Sequence, residues 1–348
     1  SIMKQKDHLD SDDFMQKMKR TVALREDCGI FFEQELPRPA GELFYAIEDQ
    51  KLVRKDEKPA CGYIQIVSKA EFAQQYGMLD ESGLLLYHYE ENSIDNIDVF
   101  EDHVVGTFVV PMKGSVLESK VSVGFYVTES RILLLDETSM LYNVLERMTK
   151  RQKIRDLDIS HVFVRILDCM ISDDMLLLQK YSMVLDQMEA FSAMGGELFV
   201  SDLPHNFTSF IMQNKKELRA LMVYYRSLNY MVDELAESDI FDGIVERRLQ
   251  SFDNKATKLY AETASLHEAA QQLRDVYQAK IDIRQNKVMS ILTIVTTIFM
   301  PLTLIVGWYG MNVKMPEVGW PYSYPIIILA SIAVTIIEIL IFKKKKWF

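Results

Sequence analysis

Charge is missing from two long stretches near the end of this 348-residue chain. Between Val288 and Val313 there is no Asp, Glu, Lys or Arg, and between Val318 and Phe342 the single one is Glu338. Cysteine is scarce as well. Cys28, Cys61 and Cys169 are odd in number and far apart, which excludes a disulfide framework and a cysteine metal cluster. A basic surplus is absent too. The net charge of −11 excludes a general nucleic-acid binder, because phosphate contacts need a cationic face. There is no Gly-rich phosphate loop and no nucleophile motif. His8, His88, His103, His161, His205 and His267 are scattered along the chain. Nothing here supports an enzyme or an organic cofactor. Ser1 to Asp13 lacks an apolar run and does not read as a secretory signal.

What is present begins with the two uncharged stretches. A bilayer core needs about 20 apolar residues in a helix, and Val288–Tyr309 and Tyr324–Phe342 both supply such a run. The loop between them is short and carries Pro316, Pro321 and Pro325 at its end, so the two spans form a hairpin. Lys280, Arg284 and Lys287 precede it, and Lys343, Lys344, Lys345 and Lys346 follow it, whereas the loop has only Lys314 against Glu317. The positive-inside bias places both basic flanks, both termini and residues 1 to about 285 in the cytoplasm. The expected location is the cell inner or plasma membrane, with lipid as one partner. Trp308, Trp320, Tyr322 and Tyr324 cluster at the outer end, where amphipathic rings favour the headgroup level.

Ahead of the hairpin, residues 1–157 read as a cytosolic α/β domain. Short β-branched and aromatic runs predict strands at Gly29–Phe32, Leu43–Ile47, Tyr63–Val67, Leu84–Tyr89, Val104–Val110, Val121–Val127 and Ile132–Leu135. Ser68 and Glu71 have capping-box spacing and predict a helix through Gln75, and a second helix is expected from Ser139 to Lys150. Residues 158–241 read as an antiparallel helix pair, with one helix over Val162–Met194 and the other over about Phe207–Glu237. A stalk helix over 242–287 follows. Val245, Leu249, Phe252, Ala256, Leu259, Thr263, Leu266, Ala270, Leu273 and Tyr277 repeat on it at spacings of four and three. That is a heptad seam, and it needs a partner, either the preceding pair, other copies of the chain, or both.

The stalk helix continues without a break into the first span, 288–312. Stepping by four and three from Asp275 gives Ala279, Asp282, Asn286, Met289, Thr293, Thr296, Met300, Thr303, Gly307 and Gly310. This face is acidic below the membrane, and within it consists of hydroxyls, thioethers and glycine. Polar groups at membrane depth face a bundle interior or water, so several copies packed around the stripe would enclose a narrow conduit ringed at its inner mouth by Asp275 and Asp282. Small and hydroxylated residues also mediate plain helix packing, and the stripe alone leaves both readings open.

The first span ends in Tyr309-Gly310-Met311-Asn312, and the outer loop, 313–323, carries Met315-Pro316-Glu317. Together with the run Thr297 to Thr303, the second span at 324–342 and the basic tail at 343–348, this pattern resembles the CorA family of divalent-cation channels. The resemblance implies a homopentameric funnel, with the first span lining the pore and the second surrounding it. It implies passive entry of hydrated Mg²⁺, with Co²⁺ and Ni²⁺ as further candidate ions. It places Asn312 at the outer mouth, with Gly310 and Met311 shaping that turn, and matches Asn286, Met289, Met300 and Thr303 to pore-lining positions. It also implies gating by intracellular Mg²⁺ bound between neighbouring cytosolic domains. Here the chain departs from the pattern, because the familiar stalk acid falls on Ser251, which leaves Asp253 and an unidentified N-terminal acid as the regulatory candidates. The alternatives are a zinc transporter of the same superfamily, disfavoured by the lack of His and Cys on the stripe, and a non-conducting membrane-anchored regulatory oligomer.

Overall fold

The structure, a computed structural model, describes residues 36–39, 41–80, 83–91, 96–113, 116–150, 158–194, 207–241, 243–312 and 316–344. The strand expected at Gly29–Phe32 lies outside them. Contacts divide the chain into two units, one reaching to Arg274 and one from Asp275 onward.

The first unit is built on a seven-stranded sheet. Its strands are β1 (Leu43–Glu48), β2 (Lys51–Lys55), β3 (Tyr63–Val67), β4 (Asn96–Val99), β5 (Val104–Pro111), β6 (Lys120–Val127) and β7 (Arg131–Leu135). They lie in the order β2-β1-β3-β7-β6-β5-β4, antiparallel except for the central parallel pair β3 and β7. β3 and β7 are almost fully buried, which suits their unbroken aliphatic character better than an alternating pattern would.

One face of the sheet carries α1 (Lys69–Gln75) and α2 (Leu84–Glu91). The capping box at the start of α1 is formed, with Glu71 N donating to Ser68 Oγ at 3.2 Å and Ser68 N donating to Glu71 Oε2 at 2.6 Å. The stretch 84–89, expected as a strand, is helical. Leu85 and Tyr89, one helical turn apart, both enter a cluster with Phe44, Phe72, Tyr126 and Leu133. Asp80 accepts from Leu85 N and Leu86 N, satisfying backbone donors that open the helix. A short aromatic-aliphatic run has no decisive period of its own, and here packing against the sheet decided.

The other side holds α3 (Met140–Thr149), α4 (Ile159–Met170), α5 (Asp174–Met194), α6 (Phe207–Leu235) and the first part of α7 (Ile244–Tyr309). Tyr45 of β1 donates its hydroxyl to Glu146 of α3, and rings of Phe108, Phe125, Phe163 and Phe241 form a chain from the sheet through α4 to the turn before α7.

The described residues of 158–241 hold three α-helices where a pair was expected. The break falls at 171–173, where Ser172 donates to Cys169 O and Asp174 N to Ile171 O. Such local side-chain and turn bonds compete with a continuing helix. Lys113 stitches this corner. It donates to Met170 O at 3.1 Å and forms an ion pair with Asp174, which is 1 % exposed. Asp174 also accepts from Tyr225 Oη at 3.0 Å.

The heptad seam finds its partners within the chain. Val245 through Leu273 along the series are buried in the first unit, and the polar member Thr263 is satisfied by donating to Leu259 O at 2.6 Å. Asn229 of α6 ties to Asp253 and Thr257 of α7 across the same interface.

The corner at Lys113 gives a stability test. Asp174→Ala strands Lys113 and Tyr225 in a buried setting, and the expected cost is about 3 kcal/mol or more. A lowered urea midpoint of the cytoplasmic unit in the purified protein measures it, with Asp174→Asn expected to lie between wild type and Asp174→Ala.

Candidate functional site

The second unit consists of the distal part of α7, a short turn at Pro316–Gly319, and α8 (Ser323–Lys344). The apolar windows of α7 and α8 reach mean hydropathies of 2.2 and 2.6, and only 6 % of each window is buried within the chain. A helix apolar all round with so little of it covered has lipid or further helices as its surroundings. These are the two membrane spans, and the domain before them is cytoplasmic.

α7 passes from the cytoplasmic unit into the first span as one helix of 66 residues. Its threonines at membrane depth turn their hydrogens inward to their own backbone. Thr293 donates to Met289 O at 2.8 Å, Thr296 to Leu292 O at 2.8 Å, Thr297 to Thr293 O at 2.7 Å and Thr303 to Phe299 O at 2.7 Å. A hydroxyl has one hydrogen and two lone pairs. Once the hydrogen is committed to the helix, what remains at the surface is acceptor only.

The stripe expected from spacing lies on one side of α7. At about 100° per residue, Met289, Thr293, Thr296, Met300, Thr303 and Gly307 fall within about 40° of one direction. Ile294 is the one buried residue of this segment, about 140° away from the stripe by the same geometry. Met289 and Met300 are 59 % and 76 % exposed, so the stripe is uncovered in a single chain. A groove of about 950 Å³ runs along it, lined by Thr296, Met300, Thr303 and Gly307 and, from the sides, by Pro301 and by Glu338 of α8.

At the cytoplasmic end of this unit Asp275, Asp282 and Asn286 are exposed on α7, and Asp282 accepts from Gln278 at 3.1 Å. At the outer end α7 stops at Tyr309. Gly310 N donates to Val306 O at 2.8 Å, and a Cβ at Gly310 would stand 2.9 Å from that same carbonyl oxygen. A side chain there would force that carbonyl or the turn to shift. Met311 and Asn312 follow in a bend and are exposed. Glu317 lies in the turn before α8, Lys343 and Lys344 form the last turn of α8, and Lys345 and Lys346 lie outside the described residues.

Asp253 sits in the cytoplasmic unit, remote in sequence from the stripe. It accepts from Asn229 at 2.9 Å and Gln250 at 3.3 Å. Ser251 beside it is exposed and borders a small polar cavity with Arg165, Arg248, Lys255 and Asp168. Among the described residues no group of three or more His, Cys, Asp and Glu is placed to hold a metal ion. The residue that sequence reasoning noted without giving it a role is Glu338. The available signal was its isolation as the sole acid of a membrane span.

Comparisons with known proteins agree with this architecture. A family model described as CorA-like Mg2+ transporter protein matches residues 70–344. The cobalt/magnesium transport protein CorA of Thermotoga maritima is 28 % identical over 261 residues, covering 72 % of each chain. The magnesium transport protein CorA of Wolinella succinogenes is 32 % identical over 142 residues, covering 39 % of this chain and 44 % of its own. In structure, the CorA magnesium transporter from Methanocaldococcus jannaschii superposes with a TM-score of 0.70 at 16 % identity, over 89 % of this chain and all of the other. The full-length CmaX protein gives 0.65 at 18 %, with the same coverage. With the family model spanning both units, the chain is a member of the CorA-like Mg2+ transporter family.

Proposed function

We propose that this protein is a homopentameric channel for passive entry of hydrated Mg²⁺, with the distal part of α7 from each copy forming the pore wall and α8 surrounding it. The observation that carries the reading is the acceptor-only stripe. Waters bound to a cation point their hydrogens outward, and a wall of threonine oxygens whose own hydrogens are committed to the helix accepts those hydrogens without competing for the metal. Met289, Met300 and Gly307 between them offer no strong donor. Mg²⁺ gives up its waters reluctantly, so a wall that meets the hydrated ion suits it better than one that strips it.

The remaining assignments follow the same logic. Asn312 presents side-chain carbonyl oxygens at the outer mouth, held there by the Gly310 turn, with Met311 and Glu317 close to it in sequence. Asp275 and Asp282 offer negative charge at the cytoplasmic end, with Asn286 between them and the span. Lys343 and Lys344 with the basic tail face anionic headgroups. An inside-negative potential drives entry, at about 2.3 kcal/mol per charge per 100 mV and twice that for a divalent ion. Co²⁺, the ion named with magnesium for the Thermotoga relative, is a second candidate for passage.

Intracellular divalent cation bound between cytoplasmic units is the proposed gate. Carboxylates facing one another across an interface repel until a cation bridges them, so falling Mg²⁺ would loosen the closed state. Asp253 is the candidate on this chain. Its hydrogen bonds to Asn229 and Gln250 orient the carboxylate and leave lone pairs for a metal.

Three outcomes test the proposal. In proteoliposomes with an inside-negative potential, the wild type should take up Mg²⁺, and Asn312→Ala should reduce uptake by about tenfold or more, equal to about 1.4 kcal/mol. No uptake of Mg²⁺ or Co²⁺ by the wild type would sink the channel reading. Gly310→Ala should abolish uptake while the protein still assembles, since the added carbon meets a backbone oxygen. Asp253→Asn should keep conducting at high internal Mg²⁺, and gating identical to wild type would remove that residue from the sensor.

A further inference from the structure

Glu338 lies five residues before Lys343 in α8, about 7–8 Å along the helix from the basic end of the span. An acid at that depth is costly unless it has a partner. Its Oε2 is buried and has no hydrogen-bond partner among the described residues. Glu338 borders the groove that runs along the stripe, and the groove's other lining residues, Thr297 and Pro301 among them, carry no acid or base.

Pro301 sits inside α7. It has no amide hydrogen, so the carbonyl of Thr297, four residues earlier, loses its helical donor. The Thr297 hydroxyl does not compensate, because it donates backward to Thr293 O. At membrane depth a carbonyl without a donor is costly as well. Thr297 and Glu338 line the same groove. Ile294 and Phe342, the buried residues of the two spans, each stand about one turn toward the cytoplasmic end from Thr297 and Glu338 on their own helices.

We propose that Glu338, in its proton-bearing form, donates a hydrogen bond to the Thr297 carbonyl that Pro301 leaves free. The bond couples α8 to the pore-lining helix at its proline. Glu338 is thus a positioning residue. It acts by setting the angle of the segment bearing Met300 and Thr303. The bond exists only while the carboxyl holds its proton, so pore geometry acquires a dependence on one proton. This inference rests on the channel reading for its consequence in flux, and on the helices alone for the bond itself.

The test uses the full-length protein in lipid nanodiscs and in proteoliposomes. Infrared titration of the wild type should show a protonated-carboxyl band at the position of a hydrogen-bonded acid, lost in Glu338→Gln. Thermal stability should fall in Glu338→Leu and be largely retained in Glu338→Gln, whose amide still donates. The fall should shrink by about half or more in a Pro301→Ala background, where the backbone N–H restored by the substitution supplies the missing donor. A band at the free-acid position, no band removed by Glu338→Gln, or an equal loss in both backgrounds would overturn the bond. Mg²⁺ uptake should vary with pH in the wild type and not in Glu338→Gln, and matching profiles would overturn the link to conduction. If no protein conducts, the infrared and stability arms still decide the bond.

Discussion

Hydrocarbon supplies no hydrogen-bond partners, and the membrane part of this protein is organised by that constraint. Every polar group carried into the span must be satisfied by the chain itself. α7 meets the demand by staying helical from Ile244 to Tyr309 and by folding each threonine hydrogen back onto a carbonyl four residues earlier. The same economy that makes the stripe tolerable in lipid makes it acceptor-only. On the proposed channel reading, that property suits it to a hydrated cation. Packing needs and conduction chemistry would then fall on one set of residues, which is why spacing alone left the two readings open.

The exceptions fall where the constraint is locally broken. Pro301 removes a donor, Glu338 brings an acid, and Gly310 ends the helix where any side chain would strike Val306 O. Each is explicable as a place where the helix does something other than span. In the proposed channel the glycine turn stands at the outer mouth, and the proposed bond at the proline would give the second span a grip on the first.

The cytoplasmic unit answers a different demand. There α7 buries its seam against its own chain, so the helix is stabilised before it reaches the membrane. The sheet and its flanking helices fix the base of that seam through the aromatic chain ending at Phe241 and the Lys113–Asp174–Tyr225 corner.

Much of this was legible from order along the chain. Hydropathy and the distribution of lysine and arginine specify two spans and their orientation, because both are one-dimensional properties of a helix in a bilayer. The four-three spacing names the stripe for the same reason, since an unbroken helix converts sequence offset directly into direction. The Tyr309–Asn312 run, together with Met315-Pro316-Glu317, the run Thr297 to Thr303 and the basic tail, carried the resemblance to the family. What sequence could not decide were features set by neighbours far along the chain. Residues 84–89 became a helix because Leu85 and Tyr89 meet a sheet face assembled from distant strands. The helix break at 171–173 is made by local bonds, but what fastens it in place is Lys113, nearly sixty residues away, which donates to the Met170 carbonyl. The seam's choice of its own chain as partner and the meeting of Glu338 with the groove beside Pro301 are likewise tertiary facts. Periodicity gives the direction of a side chain, and only the packed structure says what stands in that direction.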